Sequence, residues 1–488
     1  MKKTPYKLII TGLACTALLS FIGCSDMLSK LDNIHWGATY TVRHLLQDLN
    51  RDGTDVAEGR YTEDLYERET LVNTVPNTLS EAKVKEIPGF TAQPFEQVIV
   101  NGDGSTTIDI YYDRNPVTLT FDPNGGYFLN SNTQKSTDSI EITQAYGTTV
   151  SLRNPEFEGS NMSIEFYNWV PVDTATTLKT TGGDFISFPI PSTSGNYRAL
   201  WDFSTSVENL SNALNTMPAS GGKVTLTGEV TSESLSTMRS TFLKIKDDAT
   251  KQIELNLSDL QVAEGQNIVF DSNQNSAIVN NLALTKIELP KSGTVTLGVN
   301  AFKRCANLES ITISPNVEIA GTNPFWGCYK VEFDVASNHP TLLASKDKKA
   351  LLRKPQNSEE GYTLVSYPSA TGVVDLGALG YPITIIGKEA LGYIPKGETT
   401  IIFPESVKII RELAVTQEDY VKELTIVMEG VTPPELPDEP GQKDVFSTLA
   451  SETCIHVPDD SVDVYRKAPG WSNYANDIYP MSAYPNKH

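Results

Sequence analysis

The chain has 488 residues, of which 39% are hydrophobic and 20% are charged. This length accommodates about three domains. The apolar content is sufficient for packed cores, which excludes a disordered polyelectrolyte. The formal net charge is −21, and no long run of lysines and arginines occurs. The composition therefore lacks the basic surface of a nucleic-acid-binding protein, and we predict no nucleic-acid partner.

The N-terminus carries the pattern of a secretory leader. Lysines precede the apolar run Leu8–Ile22, which is shorter than a typical membrane-spanning helix. The run ends in Phe21-Ile22-Gly23-Cys24. This sequence resembles a bacterial lipobox, where cleavage precedes the cysteine and the thiol is acylated. The resemblance implies a signal peptide at residues 1–23, a palmitate-bearing Cys24 and a lipidated tether at residues 24–36. An ordinary signal peptide with a chance cysteine is the alternative.

No later segment approaches about 18 uninterrupted apolar residues, so the lipid would be the only membrane anchor. A protein that carries several acyl chains is held stably on a membrane. We therefore expect a lipoprotein of the bacterial cell envelope, at the outer membrane or the cell surface.

The first predicted strand, Thr39–Gln47, leads into Asp48-Leu49-Asn50-Arg51-Asp52-Gly53. That sequence matches the opening half of a calcium-binding loop, but the acid required at position 12 is replaced by Gly59. We interpret the segment as a polar hairpin turn that binds no metal.

Residues 37–115 alternate strand-like runs with turns. Phe95–Val100 and Thr106–Tyr112 are expected strands, and Asn101-Gly102-Asp103-Gly104 between them predicts a hairpin. The segment closes with Ile110-Tyr111-Tyr112-Asp113-Arg114 and resembles a mucin-binding-type module. The resemblance implies a small β-grasp-like sheet.

Residues 116–202 form a second predicted module. Its motifs are, in order, Val117-Thr118-Leu119-Thr120-Phe121-Asp122-Pro123-Asn124-Gly125-Gly126, Tyr146-Gly147-Thr148, Asn168-Trp169 and Tyr197-Arg198-Ala199-Leu200-Trp201. This order resembles the internalin-B-type B repeat, which implies another β-grasp-like module with a stalk or adhesion role.

Residues 203–282 are expected to form an α/β cap with an irregular first repeat. Apolar side chains recur at helical spacing in Ser204–Met217 and Ser232–Lys246, whereas Lys223–Thr227 and Ile253–Leu257 alternate as strands. A cap is needed because the open end of a repeat stack would expose backbone edges and apolar side chains.

Residues 283–480 contain a repeat. Phe302 and Phe325 are 23 residues apart, and so are Cys305 and Cys328. Seven residues mark the repeat, namely Phe302, Cys305, Leu308, Ile311, Ile313, Phe325 and Cys328. They resemble the BspA-type leucine-rich repeats of bacterial surface proteins. Periods of about 20–29 residues are typical of such repeats, and a single unit cannot bury its own apolar face, so the pattern predicts a solenoid.

Two more copies are predicted at Ile385–Leu391 and Ile409–Val415, and a hairpin insert is expected near 334–375. The closing segment contains Cys454-Ile455-His456-Val457-Pro458, and its resemblance to the family implies that Trp471 covers the end of the core. The predicted fold is therefore mainly β and multidomain, with two small β-grasp-like modules before a leucine-rich repeat solenoid with irregular or short helical returns.

The sequence predicts no catalytic, cofactor or metal site, and hence no enzyme. None of the five histidines has a histidine three or four residues away, and no C-x-x-C or G-x-S-x-G motif occurs. Cys305 and Cys328 share one repeat position and are expected in the core, although the spacing leaves a disulfide between them open. Trp169, Trp201 and Trp326 are expected in cores rather than in a sugar-binding platform.

The repeats indicate a surface-anchored binding protein. By resemblance it is adhesin-like, and its repeat face contacts an extracellular or host-surface protein. One alternative is a surface glycan-binding protein, which would show exposed aromatics beside two or three acids in one cleft. Another is a structural envelope protein without a soluble ligand, which would show a uniformly polar repeat face.

Overall fold

The computed structural model describes residues 37–130, 133–159, 162–172, 177–178, 184–262, 266–357, 360–369, 372–394, 398–417, 423–437, 444–447 and 453–484. Strands dominate these residues and helices are few, which confirms a mainly β protein. The predicted signal peptide, Cys24 and tether lie outside the described residues. Within them, no helix is both long and apolar enough to cross a membrane.

The chain divides into two compact units. Unit 1 contains the described residues of 37–120, 141–153 and 171–196, and unit 2 contains those of 121–140, 154–170 and 197–484. The domain boundaries proposed from the sequence remain predictions.

Unit 1 contains a mixed sheet around its first strand. Its strands are β1 (Ala38–Leu49), β2 (Val56–Glu63), β3 (Glu69–Thr74), β4 (Phe90–Ala92) and β5 (Thr107–Arg114). β1 pairs antiparallel with β2 and β3 and parallel with β5, while β4 pairs antiparallel with β5. Alternate side chains of β1 and β5, including Val42 and Ile110, enter one core, as the two-residue period of a strand requires.

The hairpin predicted around residues 101–104 is wrong. Phe95–Val100 has only an isolated bridge, at Ile99, and β5 pairs with β4 instead. The Gln97 side chain accepts a hydrogen bond from the Ala82 N–H at 2.9 Å and donates to the Ala82 carbonyl at 2.8 Å. These side-chain bonds, together with main-chain bonds between residues 77–80 and Val98 and Val100, hold the segment against residues 77–82 instead of β5.

Further strands follow up to Ser206. They are β6 (Pro116–Asp122), β7 (Phe128–Leu129), β8 (Lys135–Ser136), β9 (Ile140–Ala145), β10 (Thr149–Arg153), β11 (Ser163–Pro171), β12 (Phe185–Pro189) and β13 (Gly195–Ser206). β10 pairs antiparallel with β12 in unit 1, and β7 with β8 in unit 2. Trp169 and Trp201 are fully buried in an aromatic cluster of unit 2. Gly126 allows Trp201 to approach, because a Cβ at that position would lie 2.3 Å from the indole ring.

The first part of the repeat region consists of parallel ladders. Its strands are β14 (Gly221–Val230), β15 (Gln252–Asn256), β16 (Leu260–Val262), β17 (Asn267–Phe270), β18 (Leu284–Glu288), β19 (Thr294–Leu297), β20 (Ser310–Ile313), β21 (Val317–Ile319) and β22 (Glu332–Val335). One ladder joins β13, β14, β15, β18, β20 and β22 in that order, and another joins β17, β19 and β21. Ile287 pairs with Ile311, and Ile311 pairs with Phe333, so each coil adds one strand to a ladder.

The second part begins with antiparallel pairs. Its strands are β23 (Leu342–Ala344), β24 (Leu351–Arg353), β25 (Tyr362–Ser366), β26 (Val373–Asp375), β27 (Ile383–Ile386), β28 (Leu391–Ile394), β29 (Glu398–Phe403), β30 (Ile409–Ile410), β31 (Val415–Gln417), β32 (Glu423–Met428), β33 (Phe446–Ser447), β34 (Thr453–Val457) and β35 (Ile478–Pro480). β24 pairs antiparallel with β23 and β25, within the segment where a hairpin insert is predicted. Parallel ladders then resume as β25–β27–β30, β26–β29–β32–β34–β35 and β28–β31–β33. Trp471 is fully buried in this core, and its indole N–H donates to the Pro434 carbonyl at 2.7 Å.

The helices are short. The α-helices are Leu210–Thr216, Ser232–Lys244 and Val462–Lys467, and the 3-10 turns are Val207–Asn209, Ser272–Gln274, Leu376–Leu379, Asp459–Ser461, Trp471–Tyr474 and Met481–Ala483. The helix predicted at Ser232–Lys246 is confirmed to within two residues, and Thr231 Oγ1 caps it by accepting from the Ser234 N–H at 3.2 Å. The helix predicted from Ser204 begins only at Leu210, because β13 continues through Ser206 in its pairing with β14.

Candidate functional site

All seven residues that mark the repeat are fully buried; they are Phe302, Cys305, Leu308, Ile311, Ile313, Phe325 and Cys328. The rings of Phe302 and Phe325 stack with centroids 5.8 Å apart and planes 13° apart. Phe270 adjoins Phe302 at 5.6 Å on the other side. These positions therefore build the core of the coils and do not face a ligand.

The repeat cysteines are free thiols. Cys305 Sγ donates to the Ile278 carbonyl at 3.2 Å, and Cys328 Sγ donates to the Phe302 carbonyl at 2.9 Å. Complete burial raises the pKa of Cys328 well above its ordinary value. Each thiol thus satisfies a carbonyl of the preceding coil, and the disulfide that the spacing left open is not formed.

A further copy of the repeat begins at Ala277, within the segment assigned to the cap and an irregular first repeat, but its match to the copy at Ala301 was not identified from the sequence. Asn281 stands 24 residues before Cys305 and is likewise fully buried. The residues just before them, Asn280 and Arg304, both adopt left-handed backbone, with φ of 52° and 58°. The sequence signal was the shared alanine followed by a large apolar residue, but asparagine replaces cysteine.

The ladder from β13 to β22 carries two rows of side chains that face away from the core. Parallel pairing aligns the first row, which contains Asp202, Lys223, Glu254, Lys286, Ser310 and Glu332. The second row lies two residues further along each strand and contains Ser204, Thr225, Asn256, Glu288, Thr312 and Asp334. We call these rows the strand face. Because neighbouring strands lie about 4.8 Å apart, the face is roughly 24 Å wide.

Ion pairs within the strand face neutralise much of its charge. Lys223 Nζ lies 2.7 Å from Asp202, and Lys286 Nζ lies 2.6 Å from Glu254. Burial opposes the charge of Lys223, but the hydrogen bond to Asp202 and the attraction of nearby negative groups, Asp202 first among them, together outweigh it, so the pKa of Lys223 is raised. The strand face is therefore a polar surface with little net charge along its first strands.

A cleft of about 650 Å³ lies beside the outer edge of β21. His339 Nε2 donates to the Val317 carbonyl at 3.0 Å, and Arg353 donates to the Ile319 carbonyl at 3.1 Å. These two bonds occupy edge carbonyls that another strand would use, which explains why the ladder ends at β21.

Unit 1 presents an aromatic pair on its sheet. The rings of Tyr61 and Tyr111 meet edge to face at 5.0 Å. The Tyr61 hydroxyl donates to Asp113 at 2.6 Å, and Gln93 Nε2 donates to the same carboxylate oxygen at 2.8 Å. The hydrogen bond to Asp113 raises the pKa of Tyr61. Aromatic rings, an amide and a carboxylate thus lie together on one surface.

The segment Asp48–Gly53 belongs to the turn of the β1–β2 hairpin, as predicted. The Asp52 carboxylate accepts from the Thr54 N–H at 3.0 Å and from its hydroxyl at 2.6 Å, and these bonds lower the pKa of Asp52. Among the described residues, no group of three or more His, Cys, Asp and Glu side chains is placed to hold a metal ion.

The histidines among the described residues take part in packing. His44 and His339 are buried, and burial lowers the pKa of both. His456 Nδ1 lies 3.3 Å from the Pro480 carbonyl. His35 and His488 lie outside the described residues.

One protein family matches the part of the chain that contains the first ladders. Residues 237–343 match the BspA type leucine rich repeat region, in six copies. The match begins inside the segment that the sequence analysis assigns to the cap and an irregular first repeat.

One similar solved structure is a leucine rich cell surface protein from Faecalibacterium prausnitzii A2-165. It shares 14% sequence identity, the match covers 62% of this chain and 85% of that chain, and the TM-score is 0.23. No curated protein matches the chain.

Proposed function

We propose that this chain is a surface-anchored, adhesin-like protein that binds a partner protein through the strand face of a leucine-rich repeat solenoid. The observation that supports the proposal best is the parallel register, which aligns solvent-side residues of consecutive coils in rows. Such rows offer many distributed contacts on one extended surface. The match of residues 237–343 to BspA-type repeats is in accord with an interaction role.

The proposed anchor is a lipid on Cys24, exposed by cleavage after Gly23, which would place the protein in the bacterial cell envelope at the outer membrane or cell surface. Mass spectrometry of the N-terminal peptide tests this anchor. An acylated Cys24 at the mature N-terminus supports it, and a peptide that begins elsewhere with an unmodified thiol contradicts it.

The chemistry of the strand face suggests how the partner would bind. Ser310 and Thr312 offer hydroxyl groups, and the flanking charged residues offer ion pairs. Exposed ion pairs contribute only about 0.2–1 kcal/mol each, so affinity would come from many contacts rather than one deep pocket. We infer an extracellular or host-surface protein with a complementary polar surface.

A binding array of extracellular proteins and glycans tests the proposal. The probe is a soluble chain of residues 25–488, which omits the signal peptide and Cys24, beside the variants Thr312→Arg and Thr62→Arg. Thr312 lies on the strand face, whereas Thr62 is an exposed threonine of β2 in unit 1. Saturable protein binding that Thr312→Arg weakens at least about tenfold, and that Thr62→Arg leaves unchanged, is the expected result. Binding that tolerates Thr312→Arg would place the function elsewhere.

Glycan binding is the second candidate, and the pair Tyr61–Tyr111 beside Asp113 and Gln93 favours it. A sugar would stack on the Tyr111 ring, which is 36% exposed, and hydrogen-bond to the neighbouring polar groups. Glycan binding on the same array that Tyr111→Ala abolishes would support this candidate.

A structural envelope role is the third candidate. The strand face is polar, and its pairs Asp202–Lys223 and Glu254–Lys286 satisfy each other. Absence of any saturable ligand on the array would favour this role over the other two.

A further inference from the structure

Unit 1 contains a cleft, lined by both apolar and charged side chains, that none of these functions uses. Its volume is about 740 Å³, and its walls are formed by β3 and by residues 75–85. Val72, Val75, Leu79 and Val84 line it and are 60%, 53%, 62% and 55% exposed, respectively. Ligand pockets span about 300–1,000 Å³, and clustered exposed apolar side chains commonly mark interaction sites.

One wall of the cleft is an open sheet edge. Along β1, the main-chain groups of odd-numbered residues point to β5, as the bond from the Thr41 N–H to the Thr106 carbonyl shows. Those of even-numbered residues therefore point to β3. Tyr40 is aligned with Leu71, so Leu71 turns its main-chain groups toward β1. The Val72 N–H points away, because it lies opposite the Leu71 carbonyl in a trans peptide unit. The register then shifts before Ala38 pairs with Thr74. Among the described residues, β1 is the only strand paired with β3.

The charges that line the cleft compensate one another. Lys85 Nζ lies 2.8 Å from Glu67 and 3.2 Å from Glu69. Glu81 and Lys83 are two residues apart and opposite in sign. The charged lining residues sum to no net charge, so a charged ligand side chain would lose its hydration here without a net electrostatic attraction from the cleft. The cleft is thus complementary to an uncharged segment, although the whole chain is strongly acidic.

We propose that the cleft binds an extended, uncharged segment of a partner protein as an added strand along β3. The outward main-chain groups of Thr70 and the outward N–H of Val72 hydrogen-bond this segment, as in strand addition generally. Val75, Leu79 and Val84 cover its alternate apolar side chains. A second copy fits less well, because its own β3 is flanked by the same wall of residues 75–85. The site lies in unit 1 and is distinct from the strand face, which lies in unit 2.

The test is selection of a random peptide library of about 12 residues, displayed on phage, on the soluble chain of residues 25–488. We expect enrichment of uncharged peptides with apolar residues at alternate positions. The synthetic form of the most enriched peptide is then measured by calorimetry against three variants. Val72→Pro removes an outward N–H at an edge position that tolerates proline. Val84→Asp polarises the opposite wall, and Val72→Thr keeps both the N–H and the branched shape.

At least tenfold weaker binding to Val72→Pro and to Val84→Asp, with little change for Val72→Thr, supports the proposal. Equal binding to all variants overturns it, and so does the failure to enrich any peptide over an uncoated surface. A concentration-dependent dimer that Val72→Pro abolishes also overturns it, since the occupant is then a second copy. Melting curves of the variants show whether β3 remains folded.

Discussion

The Trp326 indole N–H donates to Thr416 Oγ1 at 3.2 Å, across 90 residues of sequence. Trp326 belongs to the last coil before the antiparallel insert, and Thr416 belongs to β31, after it. Asn323, which also precedes the insert, donates from its Nδ2 to the carbonyl of Glu389, which follows the insert, at 2.9 Å. The coils before and after the insert are therefore in direct contact, although the ladders of β21 and β22 do not continue into the later parallel ladders.

This contact predicts a measurable coupling across the insert. Trp326→Phe keeps an aromatic ring but removes the N–H, so we expect a loss of about 1 kcal/mol in the free energy of unfolding. Thr416→Val should cost a similar amount. Urea denaturation of both variants and of the double variant checks this, because a shared bond makes the double variant less destabilised than the sum. Strictly additive losses would show that the two side chains act independently.

The buried thiols predict slow chemical modification. Cys305 and Cys328 are fully buried, and the pKa of Cys328 is raised, so the reactive thiolate is scarce at neutral pH. Cys454 is partly exposed. In the soluble chain of residues 25–488, a disulfide-exchange reagent should react rapidly with at most one thiol, and with all three after denaturation. Cys454→Ser should remove the rapid phase. Rapid reaction of two thiols in the native protein would contradict the buried ladder.

His339 predicts a loss of stability at acidic pH. Its Nδ1 accepts from the N–H groups of Thr341 and Leu342 at 3.2 and 3.0 Å, and its Nε2 donates to Val317. Burial, with a smaller effect from Lys354, lowers its pKa below the ordinary 6.5. The unfolded chain therefore binds the proton more readily than the folded protein. Stability is fully present above pH 6.5 and is lost as the pH falls through the lowered folded pKa.

Thermal melting between about pH 7 and about pH 5 checks this expectation. His339→Gln should be less stable than the natural protein at neutral pH but should show a shallower decline on acidification. His44, whose pKa is also lowered, is present in both proteins, so its effect cancels. Parallel declines of the two proteins would assign the acid sensitivity to other groups.

We expect the buried hydrogen bonds of Asn281 to stabilise the first coil. Its Nδ2 donates to the Phe242 carbonyl at 2.9 Å, and its Oδ1 accepts from the N–H groups of Ala283 and Leu284 at 3.0 and 2.9 Å. Asn281→Ala leaves these buried groups without partners and should cost about 2–3 kcal/mol. Chemical denaturation measures the loss, and Asn273→Ala, at an exposed position, should cost less than about 0.5 kcal/mol.

The equivalence of Asn281 and Cys305 can be tested in the same way. Asn281→Cys restores a donor at the position where the next two coils carry a thiol, so it should cost less than Asn281→Ala. Equal losses for the two variants would show that the repeat position does not require a donor.

Strands with strong alternation were predictable, and hydrogen bonds to a distant segment explain where prediction failed. β1 and β5 follow strong alternation, and both were predicted within a few residues. The supposed strand at Phe95–Val100 also has β-forming residues, but the contacts of Gln97 with Ala82 and main-chain bonds to residues 77–80 engage it in place of β5. Strand propensity alone carries no information on which side chain will satisfy a neighbouring backbone.

The candidate binding surfaces were less predictable than the core. The core was predictable because the period of 23 residues between Phe302 and Phe325 requires only that side chains at equivalent positions occupy equivalent space in successive coils. The strand face depends on which strands pair and in which register, and the cleft beside β3 depends on an edge that no described strand covers. Both features arise from contacts between residues far apart in the chain.

The amino-acid sequence by itself determined that the chain has a leader-like N-terminus, a mainly β fold and a repeat of about two dozen residues, because composition and periodicity are local properties. Only the tertiary structure decided that Asn281 continues the cysteine ladder, that Trp326 reaches Thr416 beyond the insert, and that Val72 faces an open edge. Hydrogen bonds and free edges are relations between distant segments, and no single segment specifies its partner.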